Sequence, residues 1–140
     1  MANYYATART SYTKVKDEEK FKEWADTVPD SEVITREDPN EGMLYGFMLG
    51  HLGDGAGVPS SRYNEEAGDG DDMDFYAEFQ EHLEPGWAVT VMEAGAQKHA
   101  YVHGYCTVIT ADEIETMTLG RYADETLNAL GSPKHTECQE

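Results

Sequence analysis

The chain has 140 residues, of which 28 are Asp or Glu and 10 are Lys or Arg, for a formal charge of -18 at pH 7. Affinity for a phosphate backbone comes from Lys and Arg releasing counterions, so this balance argues against direct nucleic-acid binding as the main activity. The length suffices for one hydrophobic core without metal or disulfide support, no apolar run approaches the roughly 18 residues of a membrane span, and the N-terminus lacks a signal peptide's charged-then-apolar order, which makes a cytoplasmic location the expectation.

Residues 3–16, NYYATARTSYTKVK, alternate Tyr4, Ala6 and Ala8 with Tyr5, Thr7 and Arg9 and read as a long, central strand. A helix is expected over residues 17–28. Asp17 is suited to N-cap it, Glu18 and Glu19 complement its positive end, and Phe21, Trp24, Ala25 and Val28 recur at helical spacing before Pro29. Residues 31–36 and 43–49 read as two strands of a hairpin, turned by Asp38, Pro39, Asn40 and Gly42. Residues 50–72 hold six acids against Arg62 alone, with six glycines, so a long mobile loop is expected there. Phe75, Tyr76, Phe79 and Leu83 then predict a short second helix, ended by Pro85 and Gly86.

The most strongly patterned stretch is residues 86–110, GWAVTVMEAGAQKHAYVHGYCTVIT, which reads as a hairpin broken near Gly95. On its second strand Ala100, Val102, Gly104, Cys106 and Val108 alternate with His99, Tyr101, His103, Tyr105 and Thr107. The small aliphatic set is expected to face the core, with Cys106 as a small buried hydrophobe. The aromatic set is then left on the other face, where His99, Tyr101, His103 and Tyr105 offer a face for a homodimer. Residues 114–119 suit an edge strand, residues 122–130 a closing helix stopped at Gly131, and residues 132–140 a flexible tail. Together these elements predict one α+β domain over residues 1–131: a mainly antiparallel sheet of about five or six strands with two or three helices packed chiefly on one face.

Motifs for chemistry are absent. His99 and His103 are four apart, which on a strand is about 13 Å and too far for one metal ion. His51 with Asp54, and His135 with Cys138, are weak pairs in polar segments. An EF-hand loop begun at Asp69 would need Gly sixth and Glu twelfth, where this chain has Asp74 and Gln80. GHLGDGAG lacks the Gly-Lys-Ser/Thr of a phosphate-binding loop, and His103 and Cys106, three apart on a strand, face opposite sides. No catalytic, cofactor or metal residues are assigned.

Charge carries the functional argument instead. Residues 1–16 carry +3 and residues 96–110 carry +1, whereas the presumed helices and loops are all negative. The segments NYYATARTSYTKVKDEEKFKEW and MEAGAQKHAYVHGY resemble small acidic proteins of phages and other mobile elements, whose genomes often encode anti-restriction and anti-CRISPR proteins. The resemblance covers about a third of the chain and names no contact residue. It implies a non-enzymatic inhibitor that imitates nucleic acid and binds a basic surface of a host defence complex. Glu65, Glu66, Asp69, Asp71, Asp72 and Asp74 on the loop and Glu78 and Glu81 on the following helix are the candidate partner-binding residues. The alternatives are a salt-adapted or housekeeping acidic domain without such a partner, and an enzyme or metal-binding protein using the acidic loop.

Overall fold

A computed structural model describes residues 4–50, 57–64, 69–97, 101–134 and 136. Within them lie β1 (Tyr4–Thr10), α1 (Glu18–Ala25), β2 (Ser31–Asp38), β3 (Gly42–Leu49), β4 (Ser61–Asn64), β5 (Asp69–Asp72), α2 (Phe75–His82), β6 (Val89–Gln97), β7 (Tyr101–Ile109), β8 (Ile114–Thr118) and α3 (Leu119–Ala129). Six strands form one antiparallel sheet in the order β2-β3-β1-β6-β7-β8, and β4 pairs with β5 in a separate ribbon. The fold is α+β and dominated by its sheet, as the sequence patterning predicts.

Local chemistry accounts for most of the elements. Asp17 caps α1 by accepting from the Lys20 N–H at 3.2 Å, and Asp74 caps α2 by accepting from Ala77 N–H at 3.2 Å. Asp38 Oδ1 accepts from the backbone N–H groups of Asn40 and Glu41, which closes the β2–β3 turn. The helical stripe of α1 is buried as its spacing requires: Phe21, Trp24, Ala25 and, just beyond the helix, Val28. Phe21 and Trp24 meet Phe47 of β3 and Phe79 of α2 with ring centroids 5.5–5.8 Å apart, and Trp24 meets Phe75 at 5.7 Å. This aromatic cluster places α1 and α2 over one face of the sheet.

Four expectations need correction. The first strand is central but ends at Thr10; Thr13 and Val15 continue only as isolated bridges to Tyr45 and Leu83. Part of the acidic loop is ordered, because β4 and β5 pair over Ser61–Asn64 and Asp69–Asp72. Apolar burial is not what holds that ribbon: the Met73 N–H donates to Ser60 O at 2.9 Å, and the Arg62 guanidinium donates to the Thr27 hydroxyl and to Glu78. Gly95 does not mark the end of a strand, since β6 runs through it to Gln97. A Cβ there would lie 2.5 Å from the Ala6 Cβ and closer still to the Tyr5 carbonyl, so glycine is needed for β1 and β6 to approach.

The fourth correction reverses the faces of β7. The register sets Val91 opposite Thr107 and Val89 opposite Ile109, and all four are buried beneath the helices. His103 and Tyr105 share that parity and are half-buried on the helix side. Val102 and Val108 point the other way and are exposed, and Cys106 is half-buried on that outer face.

Candidate functional site

The acidic candidates sit on the side of the sheet covered by α1 and α2. From Asp69 to Glu84 there are seven acids and no Lys or Arg. Asp71 and Asp72 on β5, Asp74 at the α2 cap and Glu81 on α2 are all exposed. Glu18, Glu19, Glu23 and Asp26 of the neighbouring α1 are exposed as well, and so are Lys20 and Lys22. The expectations for Glu65, Glu66 and His99 fall outside the described residues, as do those for the side chains of Asp69 and Tyr101.

Glu78 is a different kind of residue. Its Oε1 accepts from the Trp24 indole N–H at 2.7 Å and from the Arg62 guanidinium, with 29% of its side chain exposed. Burial alone would raise its pKa, but the indole N–H and the guanidinium outweigh that and hold the carboxyl below its usual range. Its role is to tie α1, α2 and the β4–β5 ribbon together. Beside it His82 stacks on Trp24 at 4.9 Å, and burial lowers the imidazole pKa. Both groups hold the acidic layer's shape and present little charge to a partner.

A hollow of about 580 Å³ opens between α2 and strands β6 to β8, lined by Val58, Tyr76, Glu93, Tyr105 and Thr116 among others. The Glu93 carboxylate accepts from the Val58 N–H at 2.6 Å, so it anchors the segment entering β4. Tyr76 has its pKa raised, first by burial, and remains a neutral phenol. The hollow thus offers the phenols of Tyr76 and Tyr105, the hydroxyls of Ser60 and Thr116, and the carboxylates of Glu93 and Asp74, each of which accepts a backbone N–H. Among the described residues no three His, Cys, Asp or Glu side chains gather to hold a metal ion. His103 and Tyr105, expected as an open dimer face, stack on each other at 6.4 Å on the helix side, and Tyr105 lines this hollow.

The feature that sequence reasoning passed over is the outer face of the sheet. Its rows run Arg9, Met92, Cys106, Met117 and Thr7, Ala94, Gly104 across β1, β6, β7 and β8. A groove of about 550 Å³ lies there, bounded by α3 through Leu119 and Tyr122. A Cβ on Gly104 would lie 2.6 Å from Leu119 Cδ1, so this glycine lets α3 settle against the sheet. The readable signal was the spacing of Leu119, Tyr122, Ala123, Thr126, Leu127 and Leu130, one continuous stripe of a helix. No helix among the described residues is long and apolar enough to cross a membrane. Comparison with protein-family models, with curated proteins and with solved structures finds no match for this chain.

Proposed function

We propose that this chain is a non-enzymatic, protein-binding domain whose acidic layer occupies a basic, nucleic-acid-binding surface of another protein, as an inhibitor of a host defence complex would. The observation that carries the reading is the run from Asp69 to Glu84, seven acids with no Lys or Arg within the run and with Glu78 taken up by Arg62, on a layer whose Asp71, Asp72, Asp74 and Glu81 are exposed. Such an array attracts a Lys- and Arg-lined groove at long range and competes there with phosphates. The resemblance to small acidic proteins of mobile elements supports a defence complex as the class of target.

The test is retention of proteins from a host lysate on the immobilised chain, followed by elution with double-stranded DNA and with rising salt. The expected result is a basic nucleic-acid-binding protein that DNA displaces and that the Asp71→Asn, Asp72→Asn, Asp74→Asn, Glu81→Gln variant fails to retain. Asparagine still caps a helix, so the variant keeps α2 intact. Affinity unchanged between low and high salt, or retention indifferent to the four changes, would overturn the reading. If nothing basic is retained and stability climbs steeply with salt, the salt-adapted domain is the better account.

A further inference from the structure

We propose that the outer face of the sheet, together with α3, is the surface through which two copies of this chain associate. The inference is independent of the proposed function, since it concerns the opposite side of the molecule.

Three observations converge on it. First, α3 is amphipathic, yet it contains no buried residue. Along its apolar stripe Leu119 is 57% exposed, Tyr122 62% and Leu130 72%. Such a stripe normally packs against something, and α3 covers only part of what is available, lying against β7 and β8. Second, large side chains of the adjoining strands are exposed: Tyr5 on β1 by 56%, Met92 on β6 by 60% and Val102 on β7 by 60%. These six are the most exposed large hydrophobic side chains among the described residues, and together they expose on the order of 800 Å², about one partner's share of a standard interface. Third, the face is close to electrically neutral on a chain of charge -18. Arg9, Arg36 and Arg121 stand there against Glu32, Asp38, Glu115, Asp124 and Glu125, a balance of only -2, and the guanidiniums of Arg9 and Arg36 lie 5.9 and 5.7 Å from the centre of the Tyr12 ring.

These features point to a second copy as the occupant. A six-stranded sheet is about 24 Å wide and a helix about 10 Å across, so the outer face has room for two helices and, among the described residues, carries one. Each molecule therefore has a bare groove about one helix wide and one helix whose stripe is unfilled. A two-fold axis satisfies both at once, setting α3 of each copy over β1 and β6 of the other. It also places the acidic layers at opposite outer ends of the pair. Any association through those layers would instead stack like charges.

Sedimentation equilibrium of the full chain tests this, with Met92→Glu and Val102→Glu as variants. Both positions are exposed in the single copy, so folding should survive, and circular dichroism with thermal melting checks it. The expected result is a wild-type dimer at tens of micromolar, dissociation constants raised at least about tenfold by either change, and no change for Glu81→Gln on the acidic layer. As a second readout, in a Cys138→Ser background, maleimide labelling of Cys106 should slow as protein concentration rises. A wild-type monomer at about 100 µM, or a dimer indifferent to both glutamate changes, would overturn the proposal.

Discussion

Trp24 illustrates how single residues settle this fold. Its ring belongs to the aromatic cluster, while its indole N–H needs an acceptor, and Glu78 supplies one at 2.7 Å. The same oxygen takes the Arg62 guanidinium, so a carboxylate on α2 joins a helix on one side to the ribbon on the other. Glu78→Ala leaves a buried N–H unsatisfied and a cation unpaired, and should cost about 1–3 kcal/mol in urea unfolding. Because the pKa of Glu78 is depressed, its contribution is fully present above the ordinary value of 4.5 and is lost as pH falls through the lower folded value. Glu78→Ala should therefore flatten the acid limb of the stability profile. An unchanged profile would show that the carboxylate carries no such linkage.

Among the elements, the β1–β6 pair and the β4–β5 ribbon show two ways for a strand to form against its composition. Gly95 has no side chain to pack, and β6 accepts it because β1 comes too close for one. Gly95→Ala should then destabilise by about 1–3 kcal/mol, the usual cost of overpacking, as read from the denaturation midpoint. Tolerance of alanine there would mean that β1 can withdraw from β6. The DGDD segment of β5 has poor strand propensity and is a strand nonetheless, because it pairs with β4 and the Met73 N–H that follows it donates to the Ser60 carbonyl. Element α3 is the reverse case: its stripe is regular and its caps are in place, with Thr118 accepting from the Arg121 N–H at 3.0 Å, yet it is barely covered.

For the whole molecule, repulsion among like charges opposes the compact state. The layer of α1, α2 and β5 gathers acids on one side, and the ion pairs Lys14–Glu41 and Arg121–Glu125 are largely exposed, so screening should leave them weak. Salt shortens the reach of that repulsion from about 10 Å at 0.1 M to about 3 Å at 1 M. The melting temperature should therefore rise between these conditions by several degrees, about 3–4 °C for each kcal/mol of relieved repulsion. A melting temperature that does not move would indicate that repulsion between these acids contributes little to stability. Association through the outer face, measured in the same salt series, should strengthen or hold steady, whereas binding of a basic partner should weaken.

What could be read from the chain alone was local and periodic: the caps at Asp17 and Asp74, the Asp38 turn, the α1 stripe, the strand alternation and the strong negative charge. Each depends on neighbours within a few residues, and from them the α+β class and the acidic candidates follow. Which side of β7 faces inward was decided by pairing with β6, since alternation gives two equivalent faces and only the partner strand says which one the helices cover. The commitment of Glu78 to Trp24 and Arg62 was likewise beyond reach, because those partners lie 54 and 16 residues away along the chain. The bare outer face came from tertiary structure for the same reason. Periodicity marks α3 as a helix that wants cover, but only the arrangement of six strands and three helices among the described residues shows that the chain itself leaves the cover incomplete.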